Sequence, residues 1–163
     1  MEKKVIKVLF VCHGNICRSP MAEFIMKHLL KEKGIENELY IESAATSNSE
    51  IGNGIYPPAK KTLYLHSIKD VGIDKRVARQ VKKEDYDKFD YILVAEEVNK
   101  NGVLRIVGQD SENKIFKILD FANDESLKHK DIDDPWYTGD FEKSYVDIMA
   151  GCMGFLKKIF GIS

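Results

Sequence analysis

Cys12 and Arg18 close the run Cys-His-Gly-Asn-Ile-Cys-Arg, which lies between a short β-branched stretch and an amphipathic one. A cysteine and an arginine at this spacing, on a strand–loop–helix junction, suit one kind of chemistry. Backbone N–H groups at a helix start point at an anion. The helix dipole and a nearby arginine favour the thiolate, the reactive form of cysteine. A guanidinium can grip two phosphate oxygens in a bidentate fork. A cation at a helix start is unfavourable by itself, and a bound dianion would account for Arg18. The combination points to phosphoryl transfer onto Cys12 through a covalent intermediate. Gly14 suits close approach and positive φ, and Asn15 tolerates the left-handed region. Ser19 reads equally well as a helix cap.

Transfer onto sulfur needs an acid for the departing oxygen. Asp131, Asp133 and Asp134 are candidates in Asp-Ile-Asp-Asp-Pro-Trp-Tyr, and spacing alone leaves all three open. Pro135 restricts Asp134 to extended conformations and so fixes the aim of its carboxyl. Trp136 and Tyr137 would wall a deep slot. Such a slot suits an aromatic phosphoester and holds the shorter phosphoserine out of reach of Cys12.

The elements that must position these residues are legible from periodicity. Val5–Val11 reads as a buried strand. A helix starts at Ser19-Pro20, carries Ala22, Ile25, Met26, Leu29 and Leu30 on one face, and stops near Gly34. Leu39, Ile41 and Ser43 share one side of a second strand. A polar loop over 45–58 ends in Pro57-Pro58, and a helix follows through Ile68. Strands are expected at Tyr91–Ala95 and Ile115–Leu119, with a helix near 99–107 between them. A long acidic loop spans 120–140, and loops of that length are often functional. The last helix starts near Phe141, with Tyr145, Ile148, Met149, Cys152, Leu156 and Ile159 as its apolar stripe. Strands alternating with helices imply a three-layer α/β/α fold around a four-stranded parallel sheet. Ligands bind such sheets beyond the carboxyl ends of their strands, where the Cys12 loop lies.

The 163 residues are expected to form a single domain, residues 1–163. With 25 basic and 26 acidic residues the net charge is −1, which disfavours a general nucleic-acid or membrane binder. The apolar run after Met1-Glu-Lys-Lys4 is too short for a signal peptide, and no stretch has the length of a membrane span. Three cysteines, 12, 17 and 152, fit a reducing cytoplasm better than a disulfide scaffold. The four histidines make no zinc-site spacing with them, so neither metal nor cofactor is expected.

The stretch Val8-Leu-Phe-Val-Cys12-His-Gly-Asn-Ile-Cys-Arg18-Ser-Pro-Met-Ala-Glu23 closely resembles the signature of the low-molecular-weight protein tyrosine phosphatases. The resemblance continues through Ser43-Ala-Ala-Thr-Ser, Ala78-Arg-Gln80, Phe89-Asp-Tyr-Ile-Leu93 and Asp134-Pro-Trp-Tyr137. It implies hydrolysis of phosphotyrosine, in a protein or a small aryl phosphate, without metal. It assigns Cys12 as nucleophile, Arg18 as phosphate clamp and Asp134 as general acid and then base. His13, Gly14, Asn15, Ile16, Cys17 and Ser19 would form the phosphate loop, and Ser49, Trp136 and Tyr137 the pocket. Asn15 would brace the loop with support from Ser43, and Ser19 would donate to the Cys12 sulfur. Cys17 would be able to form a reversible disulfide with Cys12.

The match departs at four positions. His13 stands at the rim where many relatives carry a larger apolar or another small residue. Ser49 replaces a common aromatic. Val71 replaces a histidine of a segment that helps brace the loop, and Ala45 replaces a glycine. Three alternatives stand beside the tyrosine reading. A phosphoarginine phosphatase would carry threonine where Ile16 sits. An arsenate reductase would need a resolving cysteine pair in a mobile segment, and the one distal cysteine, Cys152, reads as helical. A silent phosphate-binding module would have no use for a general acid. Oligomeric state is left open.

Overall fold

Residues Leu9 and Val11 face one side of the first strand, and Val8, Phe10 and Cys12 the other. The two sets enter two separate hydrophobic clusters. This period-two division means that both faces of the strand are covered, as in a parallel sheet between helical layers. The computed structural model, which describes residues 4–162, shows that arrangement. Strands β1 (Ile6–Cys12), β2 (Leu39–Ala45), β3 (Tyr91–Val94) and β4 (Ile115–Lys117) are all parallel, in the order β2-β1-β3-β4. Chain direction across the sheet reverses between β1 and β3. Their carboxyl ends form the switch-point crevice in which ligands bind.

Helices α1 (Arg18–Glu32) and α7 (Phe141–Phe160) cover one face, joined by α2 (Pro57–Leu65). Helix α5 (Glu97–Val107) and the segment around Tyr86 and Phe89 cover the other. Three short helices complete the chain: α3 (Gly72–Lys75), α4 (Asp85–Lys88) and α6 (Pro135–Thr138). Helix α1 ends as its sequence predicts: Gly34 takes a φ of 70°, and Ile35 N–H donates to the Leu30 carbonyl at 2.9 Å. Among the described residues no helix is long and apolar enough to cross a membrane.

Three sequence expectations need correction. The strand expected over Ile115–Leu119 ends at Lys117, and Ile118–Phe121 form a 3-10 turn. The Asp120 carboxylate accepts from the Lys117 N–H at 2.9 Å and closes that turn. The turn lies directly on α7, where a Cβ on Gly151 would meet Ile118 Cγ2 at 2.4 Å and one on Gly154 would meet the Phe121 carbonyl oxygen at 1.7 Å. Helix α2 stops at Leu65, not Ile68, because Ser67 turns left-handed at φ 64° and Ile68 N–H returns to the Leu63 carbonyl. The 120–140 segment is not featureless. Ile132 N–H donates to the Ala95 carbonyl at 2.9 Å, His129 N–H to Leu119, and α6 forms on Pro135. Helices α3 and α4 escape the sequence reading because four residues carry too little periodicity to register.

Candidate active site

The loop from His13 to Cys17 joins β1 to α1 and is held from outside by its carbonyls. Thr46 N–H donates to the Cys12 carbonyl at 3.0 Å, Ser47 N–H to His13 at 3.0 Å, and Tyr56 N–H to Ile16 at 2.9 Å. Arg76 Nη1 donates to the Asn15 carbonyl at 3.0 Å. These bonds fix the loop at the start of α1, where backbone N–H groups and the helix dipole favour an anion. Asn15 makes the turn at φ 60°. Gly14 does not take positive φ; its role is close approach, since a Cβ there would sit 3.3 Å from Glu50 Cγ.

A hydrogen-bond chain runs from Arg76 to the sulfur of Cys12. Asn15 Oδ1 accepts from Arg76 Nη2 and, at 3.2 Å, from the Arg79 N–H. Asn15 Nδ2 is thereby turned to donate to Ser19 Oγ at 2.8 Å. Ser19 Oγ accepts that bond and lies 3.0 Å from Cys12 Sγ, a contact in which Ser19 is the donor once the sulfur is a thiolate. The Ser19 N–H reaches the same sulfur at 3.4 Å. Asn15 and Ser19 are both buried behind the loop. Ser43 is placed differently from expectation: its hydroxyl donates to Glu23 Oε1 at 2.6 Å. The Asn15 oxygen already serves two donors from the 76–79 segment, and the buried Glu23 carboxylate is the stronger acceptor for Ser43. Val71, which stands in place of a bracing histidine, is 75% exposed at the start of α3, and Arg76 does the bracing.

Arg18 is only 1% exposed, the largest fully buried side chain described. Its Nη1 donates to the Ile132 carbonyl at 2.7 Å and contacts Glu96 Oε2 at 2.8 Å. Its Nη2 lies 3.4 Å from Asp134 Oδ2. Burial alone would push this guanidinium down; negative charge on Cys12, Asp134 and Glu96 holds it above its ordinary value. Glu96 follows β3 and Arg18 follows β1, so the ion pair spans the switch-point crevice. Asp134 caps α6, accepting from the Trp136 N–H at 3.0 Å. Its rivals lie elsewhere: Asp131 accepts from the Glu97 N–H at 3.0 Å, and Asp133 pairs with Lys143 at 3.4 Å.

These residues enclose a slot of about 180 Å³ with Cys12, Arg18 and Asp134 in its lining, together with His13, Gly14, Ile16, Cys17, Ser49, Glu50, Trp136 and Tyr137. Trp136 is packed on Tyr56 with ring centroids 4.8 Å apart, whereas Tyr137 is 83% exposed. Exposed Ser49 contributes a small rim residue, its hydroxyl tied to Ser47 at 2.8 Å. All three cysteines are free thiols and buried. Burial, then charge on Cys12 and Asp134, pushes the Cys17 thiol far up. Sequence reasoning missed Arg76, Arg79, Glu96, Glu50 and Tyr56. Of these only Arg79 stood in a segment the family resemblance had marked.

The family model described as low molecular weight phosphotyrosine protein phosphatase matches residues 7–160. The low molecular weight protein-tyrosine-phosphatase YfkJ of Bacillus subtilis is 39% identical over 155 residues, covering 95% of this chain and 96% of that protein. The human low molecular weight phosphotyrosine protein phosphatase is 38% identical over 159 residues, covering 96% and 98%. The crystal structure of YfkJ superposes with a TM-score of 0.88 over 96% of this chain and 95% of that one, at 38% identity. Fold, strand-end cysteine loop and these likenesses agree, and the chain belongs to the low molecular weight phosphotyrosine protein phosphatases, hydrolases of phosphotyrosine that work through a cysteine.

Proposed function

We propose that Cys12, Arg18 and Asp134 divide the hydrolysis of a phosphotyrosyl side chain among them. Cys12 Sγ attacks phosphorus, the bond to the tyrosyl oxygen breaks, and Asp134 gives that oxygen its proton. Water then attacks the phosphocysteine, Asp134 takes a proton back, and the S–P bond breaks to release inorganic phosphate and the thiolate. Arg18 Nη1 is committed to Ile132 and Glu96, so Nε and Nη2, the latter also facing Asp134 at 3.4 Å, form the fork on phosphate. The loose transition state spreads charge over its equatorial oxygens, which the fork and the loop N–H groups match.

The observation that carries this reading is the Ser19 hydroxyl held 3.0 Å from the Cys12 sulfur, with Asn15 Nδ2 bonded to it from behind at 2.8 Å. A hydroxyl at that distance can donate to a sulfur that becomes anionic as it attacks and leaves. Ile16 in the lining, with Trp136 above, supports an aromatic ester over phosphoarginine. The substrate is accordingly a phosphotyrosyl protein or a small aryl phosphate, neither nucleic acid nor membrane. The same reading takes residues 1–163 as one phosphatase domain, supported by the single sheet, and places it in the cytoplasm, supported by three free thiols. Phosphate release from matched phosphotyrosine, phosphoserine and phosphoarginine peptides tests it: release from phosphotyrosine alone is expected, and release from phosphoarginine alone overturns it.

A further inference from the structure

A second concavity, of about 600 Å³, opens between α2 and α3 beside the catalytic slot. Gly54, Ile55, Pro57, Tyr64, Leu65 and Ile73 give it an apolar floor, and Lys60, Lys61 and Lys69 lie along it with Asp74 as the one carboxylate. It contains no nucleophile and no part of the hydrogen-bond chain to Cys12. Leu65 is nonetheless 70% exposed, and exposed apolar surface of this kind marks interaction sites.

Tyr56 links the groove to the slot. Ile55 and Pro57 line the groove, and Tyr56 between them packs its ring on Trp136 at the slot wall. Tyr56 N–H also holds the Ile16 carbonyl of the phosphate loop. Ile51 and Val77 are both exposed. The bonds Gly52 N–H to Ala78 and Ala78 N–H to Asn53 tie their two segments together.

Charge separates the two concavities. The slot rim carries Glu50, which repels acidic residues of a substrate at its mouth. In the groove Lys60 is occupied by Asp74 and by the Tyr64 ring, 5.3 Å from its ammonium. Lys61 and Lys69 stand exposed and give the groove a positive balance.

We propose that this groove docks an acidic, aliphatic-bearing segment of the phosphoprotein substrate flanking the phosphotyrosine held in the slot. The inference rests on the phosphatase reading of that slot. An aliphatic side chain enters between Leu65 and Ile73, and carboxylates meet Lys61 and Lys69. The groove thereby selects among phosphotyrosyl proteins without touching the reacting atoms.

The test compares kcat/KM for p-nitrophenyl phosphate and for two phosphotyrosine peptides, one flanked by Glu and Leu, one by Lys and Ser. The wild type is expected to prefer the acidic peptide. Each exposed ion pair has a few-fold effect. The double variant Lys61→Glu/Lys69→Glu is therefore expected to lose about tenfold on the acidic peptide through KM, to gain on the basic peptide, and to keep its rate on p-nitrophenyl phosphate. Equal changes on all three substrates, or none, overturn the proposal. So does a dimer in sedimentation that the double variant dissolves while peptide preference stays fixed, because the groove then belongs to a second copy. Fluorescence anisotropy of the unphosphorylated acidic peptide separates docking from catalysis. Binding that the double variant abolishes supports docking even if wild-type turnover fails, and absence of binding overturns docking.

Discussion

Arg76 grips Asn15 twice, with Nη1 on its carbonyl at 3.0 Å and Nη2 on its side-chain oxygen. One guanidinium thus fixes both the left-handed turn of the phosphate loop and the amide that aligns Ser19 on Cys12. Its charge also lies in the field of Cys12 and Glu23. Loss of a buried hydrogen-bonding partner costs about 1–3 kcal/mol, which is roughly 10- to 100-fold in rate. Arg76→Met is expected to lower kcat by that factor, to slow iodoacetate labelling of Cys12 at fixed pH, and to leave the helical circular-dichroism signal unchanged. Arg76→Lys keeps the charge but loses the fork, and should fall between. Full activity in Arg76→Met contradicts the brace.

Asp134 is the carboxylate that both lines the slot and faces Arg18. Asp134→Ala is expected to slow phenyl phosphate by about 10²- to 10⁴-fold, the usual worth of a positioned acid. Activated p-nitrophenyl phosphate, whose leaving group departs without a proton, should slow far less. Equal losses on the two esters remove Asp134 from the acid role.

Burial pushes the Cys17 and Cys152 thiols well above the ordinary value, and charge on Cys12 pushes Cys17 further. The sign is direct: a raised thiol stays protonated as pH rises through the usual range, and only thiolate alkylates. Iodoacetate at neutral pH is therefore expected to add one carboxymethyl group per native chain, and none to Cys12→Ser, as read by intact mass. Two or more groups on the native chain contradict the assignment.

Gly154 has no room for a methyl group against the Phe121 carbonyl. Overpacking against backbone costs about 3 kcal/mol or more, and in a domain of this size that lowers Tm by about 6–12 °C. Gly154→Ala should show this loss in thermal unfolding. Gly54→Ala, which faces open space, should not.

Much of the site was legible because it is contiguous in sequence. The loop from Cys12 to Arg18 is one strand–helix junction, and Asp134 is marked by the proline that follows it. Arg76, Arg79 and Glu96 were not legible, because an arginine or glutamate in a polar stretch looks like solvated surface. Only the sheet order, which sets β3 and the 76–81 segment against opposite sides of β1 and β2, brings them to the loop. Ser43 shows the same limit: its alternation placed it on a buried face, but Glu23 as its partner depends on how α1 lies on β2.

The boundaries that shifted follow similar physics. Ile118 and Leu119 are β-branched or apolar and read as strand, yet the Asp120 carboxylate captures the Lys117 N–H and turns the chain. The glycines of α7 that admit this turn lie more than 30 residues away in the chain and carry no local signal.

Phosphate release from a phosphotyrosine peptide, for wild type and Cys12→Ser, each with and without EDTA, tests the central claim most directly. Wild type is expected to turn over equally with and without the chelator, because sulfur, guanidinium and carboxyl are all supplied by the chain. Cys12→Ser should release nothing while still binding the peptide. Turnover by Cys12→Ser, or its loss from wild type on adding EDTA, would contradict a phosphocysteine route through Cys12.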